Sequence, residues 1–175
     1  EAEALMHPNP LFRSDDRALH EALHDEIGFG MVFMTTPDGP RVAHTPLLST
    51  GEDKVRFHIS RGNALAKHLG GAEALLVVNG PDGYVSPRWY ADPNQVPTWN
   101  YVALELEGPV RRLDAEETTA LLDALSARHE GRLEGPPWTR DKLDPAKFHK
   151  LRAGIVGFEL EIRARRPTLK LSQNK

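Results

Sequence analysis

The stretch from Tyr84 to Tyr101 contains the residues best suited to bind a planar ligand. It holds two of the three Trp and all three Tyr of the chain. Tyr and Trp combine a flat apolar face with a polar group, which suits a planar, partly polar molecule. The composition of this stretch is equally consistent with a structural role, as a corner of the core followed by a Pro-rich connection. The order SPRWY and then VPTWNY is more specific than that composition.

A second candidate site lies where a predicted strand meets a predicted helix. Arg61, Asn63 and Lys67 follow Ser60 at this junction. Free N–H groups at a helix start, the planar fork of Arg and the point charge of Lys together suit a phosphate. The alternative is that these side chains are only solvated. His44, on a predicted strand, is either aimed at a ligand or a structural histidine.

The segment from His20 to His24 matches HExxH, the helical motif of zinc proteases. Leu19 and Leu23 are expected to form the packing face of this helix, and no second metal-ligand pattern follows. We therefore interpret the two histidines as part of a solvent-exposed helix face and expect no metal site. The chain also lacks GxGxxG, P-loop and GxSxG motifs.

Bulk composition narrows the function classes. The length of 175 residues suits one domain, and the net charge of −3 provides no basic face for nucleic acid. The absence of Cys excludes disulfides, thiol nucleophiles and zinc knuckles and favours a cytoplasmic location. No apolar run approaches the roughly 20 residues of a membrane span. Residues 1–5, EAEAL, resemble an expression remnant, which leaves residues 6–175 as a single domain.

Periodicity and turn residues predict an α+β chain that is mainly β. Helices are predicted from the N-cap at Ser14-Asp15-Asp16 to Ile27, from Asn63 to Leu69, from an Asp114–Glu117 capping box to Gly131, and from Asp144-Pro145 to Arg152. Strands are predicted over Met31–Thr36, Arg41–Thr50, Lys54–Ser60, Ala74–Val78, Tyr84–Tyr90, Trp99–Glu107 and Ile155–Ala164. Short strands joined by turns favour an antiparallel barrel. The polar tail after Pro167 is expected to fray or to fold over a partner.

The order of short motifs resembles the PaiB-like family, FMN-binding proteins of the split-barrel class that are often labelled negative transcriptional regulators. The matching segments are HTP at 44–46, FHISRGN at 57–63, GP at 80–81, YVSPRWY at 84–90, VPTWNY at 96–101, GIVGFE at 154–159 and KLSQN at 170–174. The SPxWY and VPTWNY pair and the KLSQN tail are the most specific of them. They follow the family order over almost the whole chain.

This resemblance implies a six-stranded antiparallel split β-barrel with flanking helices, as in pyridoxamine-phosphate oxidases. It also implies a homodimer with FMN bound at the subunit interface. The residues it assigns to FMN are Arg61, Asn63 and Lys67 for the phosphate, His44 and Thr45 beside the isoalloxazine, and Ser86, Trp89, Thr98, Trp99 and Asn100 lining the flavin. Lys170, Ser172 and Gln173 would close the site, either from the same chain or from the partner subunit.

The resemblance leaves three functions open. The first is a flavoprotein that performs or supports small-molecule redox chemistry, for which the sequence identifies no catalytic residue. The second is a negative regulator that uses flavin as effector, and the third is haem binding or breakdown with His44, His58 or His68 as axial ligand. Asp82-Gly83 stands where the family usually has His-Ala, and Arg88 replaces a small residue.

Overall fold

A closed ring of antiparallel strands forms the body of the molecule, seen in a computed structural model that describes residues 9–51, 53–92 and 94–173. Its strands are β1 Phe29–Thr36, β2 Gly39–Ser49, β3 Lys54–Ser60, β4 Glu73–Val85, β5 Thr98–Arg112, β6 Ile155–Glu161 and β7 Ala164–Lys170. The neighbour order is β4-β1-β2-β3-β6-β5-β7, and pairing between β4 and β5 closes a ring of six. The predicted six-stranded barrel is confirmed, and β7 is an additional strand on β5.

Two long strands, β2 and β5, each change a pairing partner partway along their length, which splits the barrel. β2 pairs with β1 as far as Pro46 and with β3 from Leu47 onward. β5 pairs with β7 as far as Glu107 and with β6 from Val110 onward. A Cβ on Gly108, between these two pairings, would stand 1.8 Å from the carbonyl oxygen of Glu161. Only glycine therefore allows the close approach of β5 to the end of β6.

The barrel is filled by alternating apolar side chains. Val55, Phe57 and Ile59 of β3 all point inward, as the alternation in the sequence predicts. The ring of Phe57 stacks on that of Phe158, with 5.7 Å between their centroids. Each fully buried side chain of this size contributes about 1.5–3 kcal/mol to stability.

Two strand predictions are wrong because the chain turns elsewhere. β4 continues to Val85 as the partner of β5, and Pro87–Trp89 forms a 3₁₀ helix instead of the predicted strand Tyr84–Tyr90. Ser86 caps this turn by accepting a hydrogen bond from the Arg88 N–H (3.3 Å). The predicted strand Ile155–Ala164 forms β6 but ends early at Glu161, and a further strand, β7, begins at Ala164. The predicted polar tail after Pro167 continues β7 as far as Lys170, and Leu171 to Gln173 then form bends and a turn.

The segment from Asn63 to Leu69 is a series of turns, not the predicted helix. The side chain of Asn63 accepts a hydrogen bond from the Leu65 N–H (2.9 Å), which competes with helical bonding. A helix of this length is marginal in any case. Leu65 and Leu69 are nevertheless fully buried and anchor the segment to the core.

The helices are α1 Arg17–Ile27, α2 Ala115–Glu130 and α3 Pro145–Ala153. The capping box of α2 is confirmed in both directions. The Asp114 carboxylate accepts the Glu117 N–H (2.8 Å), and the Glu117 carboxylate accepts the Asp114 N–H (3.0 Å). Pro145 begins α3 as predicted. None of the helices in the described part of the chain is both long and apolar enough to cross a membrane.

Helix α1 differs from its prediction at its start and on its buried face. Its N-cap is Asp16, whose carboxylate accepts the Leu19 N–H (3.1 Å), and not Ser14. His20 and His24 are only 4% and 3% exposed, so the predicted solvent-exposed histidine face is wrong. Burial lowers the pKa of both imidazoles, which keeps the rings neutral against the barrel.

Candidate functional site

The start of β5 and the end of β7 bring four predicted site residues into direct contact. The Lys170 ammonium donates a hydrogen bond to Thr98 Oγ1 (2.8 Å), and Ser172 Oγ donates to Asn100 Oδ1 (3.0 Å). The hydroxyl of Tyr90, which was not among the predicted site residues, donates to Ser172 Oγ (3.1 Å). We call these five residues the strand cluster.

Regular antiparallel pairing of β5 with β7 holds the strand cluster in position. Tyr101 stands opposite Lys170 in the β5–β7 ladder, which sets the register of the residues beside it. Ser172 follows in a left-handed conformation (φ 62°) that turns the chain back. Gln173 then donates from Nε2 to the carbonyl oxygens of Leu169 (2.5 Å) and Leu11 (3.1 Å). In a single chain, the tail therefore binds its own sheet.

Trp99 projects away from this cluster onto an exposed aromatic surface. Its indole Nε1 donates to Asp82 Oδ1 (3.0 Å), and its ring meets that of Tyr84 edge to face at 6.1 Å. Trp89 lies nearby in sequence on the 3₁₀ helix and is 69% exposed. We call Tyr84, Trp89 and Trp99 the aromatic surface. Asp82, one of the departures from the family pattern, serves here as the hydrogen-bond acceptor of Trp99.

The residues predicted to hold a phosphate lie in the turns after β3. Arg61 donates from Nε to the Ala153 carbonyl (2.8 Å) and from an Nη to the Ile155 carbonyl (3.3 Å). Asn63 holds the turn through Leu65, as described above. Lys67 is exposed and makes no hydrogen bond or ion pair with any described residue. We call Arg61, Asn63 and Lys67 the turn cluster.

The two predicted residues of β2 have opposite environments. His44 is exposed, whereas Thr45 is fully buried and donates its hydroxyl to the His58 carbonyl (2.5 Å). This hydrogen bond holds β2 and β3 together beyond their regular pairing, which begins at Leu47 and Phe57. His58 Nδ1 is buried with no partner among the described residues, and burial lowers the pKa of the ring.

A group of charged residues, none of them among the predicted site residues, attaches α2 to the barrel. The buried carboxylate of Glu159 accepts hydrogen bonds from Arg56 Nε (2.6 Å) and Arg111 Nε (2.8 Å). Arg111 also forms two hydrogen bonds with Glu117, and this contact lowers the pKa of Glu117 to about 2. All four side chains are satisfied by one another, so this group is structural.

Within the described residues, no hydrogen bond or ion pair joins the strand cluster to the turn cluster. Nor does that part of the chain contain a group of three or more His, Asp or Glu side chains placed to hold a metal ion. The structure thus joins Thr98, Asn100, Lys170 and Ser172 by hydrogen bonds on β5–β7 and leaves Arg61, Asn63 and Lys67 in the turns after β3. The assignment of these residues to a flavin remains a prediction.

A six-stranded antiparallel ring split by two long strands defines the class of split-barrel flavin-binding proteins. Residues 6–164 match the family described as "Putative FMN-binding domain". The chain is also 33% identical over 155 residues to "Protease synthase and sporulation protein PAI 2" of Bacillus subtilis (strain 168), a match that covers 86% of this chain and 73% of the relative. The chain belongs to this FMN-binding family, which confirms the resemblance seen in its motifs.

Solved structures agree with the fold assignment. The FAD and haem binding protein from Mycobacterium smegmatis superimposes with a TM-score of 0.67 at 23% identity, covering 90% of this chain and 73% of that one. The flavocytochrome Anf3 from Azotobacter vinelandii gives a TM-score of 0.65 at 20% identity, covering 92% of this chain and 70% of that one. These likenesses establish the split-barrel fold.

Proposed function

We propose that this protein binds FMN, with the turn cluster at the phosphate and the aromatic surface at the isoalloxazine. The observation that carries the proposal is the exposed ammonium of Lys67, which has no partner among the described residues and follows Arg61 by six residues. An unpaired cation in the same run of turns as a guanidinium suits a phosphate dianion. The donor set of the chain therefore fits the group that the family binds.

The chemistry of the bound cofactor would be hydride or electron transfer. The residues of this chain would bind and orient the flavin and exclude water from it. No side chain of the described residues is assigned here as a catalytic acid or base. His44 and His58 are the imidazoles on the strands that the resemblance places beside the flavin.

We further propose a homodimer with FMN at the interface. Trp89, a member of the aromatic surface, and Val96 are 69% and 70% exposed in the single chain. A twofold dimer would bury the same patch on both subunits, which is the commonest form of closed assembly. With no Cys in its sequence, the protein suits a reducing cytoplasm, and we propose residues 6–175 as one domain there.

The test is a titration of purified protein with FMN, followed by absorption and by quenching of flavin fluorescence. Lys67→Ala should weaken FMN binding about tenfold, the effect of losing one charged contact of about 1.4 kcal/mol. Lys150→Ala is the matched control, because Lys150 is equally exposed on α3. Wild-type protein that binds no FMN at micromolar concentration would overturn the proposal. Light scattering on the same sample tests the dimer.

Haem binding is a second candidate, favoured by the unpartnered, buried Nδ1 of His58. The two solved structures described above are of a haem-binding protein and a flavocytochrome. A Soret shift on haem titration that disappears in His58→Ala would support this role, with His44→Ala and His68→Ala as comparisons. An unchanged spectrum on haem addition would remove it.

A regulatory role is the remaining alternative, because the family is often labelled as one of negative transcriptional regulators. The net charge of −3 argues against direct binding to DNA. A salt-dependent, sequence-selective shift of promoter DNA would establish this role and would show that charge balance is misleading here. Non-specific binding to DNA alone would not establish a regulatory role.

A further inference from the structure

A cavity of about 220 Å³ lies where the end of α3, the start of β6 and the start of α2 meet. Three arginines from different parts of the chain line it, namely Arg61 after β3, Arg112 at the end of β5 and Arg152 near the end of α3. Residues this far apart in sequence come together only through the fold. A pocket of this size lined by three arginines suits a compact anion.

The three arginines keep donor capacity that the protein does not use. Arg112 is exposed, and its guanidinium makes no hydrogen bond or ion pair with a described residue. Arg152 donates from one Nη to the Ala115 carbonyl (2.8 Å), while its Nε is buried with no acceptor among the described residues. A guanidinium has five N–H donors, so each arginine retains donors for a ligand.

The partners of these arginines do not neutralise the cavity. Arg61 and Arg152 donate to backbone carbonyls, which carry no net charge. Asp114 is the acidic residue at the cavity wall, and its carboxylate is already engaged as the N-cap of α2. The helix start therefore has its own cap, and it is the arginines that leave an excess of positive charge at the cavity.

We propose that this cavity binds the phosphate group of a phosphorylated small molecule. A phosphate offers oxygen acceptors to several guanidinium forks at once, and such charge-assisted hydrogen bonds are among the strongest in proteins. Because Arg61 belongs to both the cavity and the turn cluster, two sources of the phosphate fit. It is either the phosphate of the flavin itself or that of a second, phosphorylated ligand. The anion site as such does not depend on whether flavin binds.

The first experiment titrates the flavin-free protein with inorganic phosphate, followed by calorimetry. Wild-type protein should bind phosphate in the millimolar range, and Arg112→Gln should weaken this binding about tenfold, the loss of one charged contact. Arg112→Gln is expected to fold normally, because the side chain is exposed. Arg152→Lys, which keeps the charge but loses the fork, should weaken binding less than Arg152→Gln. Arg41→Gln, an exposed arginine on β2, is the matched control and should bind as wild type does.

The second experiment separates the two sources by comparing FMN with riboflavin. If Arg112→Gln weakens FMN binding and leaves riboflavin binding unchanged, the cavity takes the phosphate of the flavin. If it weakens phosphate binding and leaves FMN affinity unchanged, the cavity serves another phosphorylated ligand. Wild-type protein that binds no phosphate up to about 10 mM, or an Arg112→Gln variant that binds it as tightly as wild type, would overturn the proposal. A failure of FMN to bind would refute the proposed cofactor and would not affect this result.

Discussion

The strand cluster and the turn cluster contain predicted site residues of similar polarity but differ in how the folded chain treats them. In the strand cluster, Lys170, Ser172 and Asn100 are joined by hydrogen bonds within one sheet. In the turn cluster, Lys67 faces solvent without a described partner, and Arg61 contacts only backbone carbonyls. One cluster is therefore part of the folded structure before any ligand arrives, and the other keeps its charges available.

This difference indicates a division of roles. Polar groups that already have partners gain little from a ligand, because binding must replace hydrogen bonds that exist. Groups without partners contribute their full interaction to a ligand. We therefore expect substitutions in the strand cluster to change stability first and those in the turn cluster to change affinity first.

The largest effect is expected at Gly108, where β5 leaves β7 for β6. In Gly108→Ala, the new Cβ would stand 1.8 Å from the Glu161 carbonyl oxygen, so β5 and the end of β6 have to move apart. Overpacking of this kind costs about 3 kcal/mol, which lowers Tm by about 6–12 °C in a chain of this length. Thermal unfolding measures it. Gly83→Ala is the control, because no atom lies within 4 Å of a Cβ there. Equal Tm values for the two variants would contradict the structure.

An intermediate effect is expected within the strand cluster itself. Ser172→Ala and Tyr90→Phe should each cost about 1 kcal/mol, since each removes a hydrogen bond around Ser172. The double variant should cost less than the sum, because both changes delete the same Tyr90–Ser172 contact. Urea unfolding of the four proteins measures the coupling. Strictly additive costs would show that the two hydroxyls act independently.

The smallest effect on stability is expected in the turn cluster. Lys67→Ala should change the free energy of unfolding by less than about 0.5 kcal/mol, as for other exposed side chains without partners. FMN should then raise the Tm of wild-type protein more than that of the variant, because only binding to the folded state stabilises it. Thermal unfolding with and without FMN measures both. A cost above about 1 kcal/mol without FMN would mean that the turn cluster is already structured like the strand cluster.

Local patterns of the sequence predicted local structure well. The capping box of Asp114 and Glu117 and the alternation of β3 depend on residues a few positions apart, and both were predicted correctly. The buried face of α1 was not, because the choice of His20 and His24 over Leu19 depends on how the helix lies on the barrel. An amphipathic pattern does not specify that orientation.

The strand β7 was missed because its composition is polar. Arg166 forms ion pairs with Glu105 and Glu107 of β5, so charges that suggest a solvated tail stabilise a sheet edge. Tyr90 was likewise missed as a member of the strand cluster, although it lies within the SPRWY motif that predicted Ser86 and Trp89. A hydroxyl aimed at a residue 82 positions away leaves no local signal.

The sequence by itself determined the family, the six strands of the barrel and most of the candidate site residues, because motifs and alternation are local properties of the chain. Only the tertiary structure decided which of those residues meet. It paired the tail with β5, separated the strand cluster from the turn cluster, and placed Arg61, Arg112 and Arg152 around one cavity. The physical reason is that such contacts join residues far apart in the sequence, as in the 94 positions between Arg61 and Ile155, and depend on the closure of the barrel.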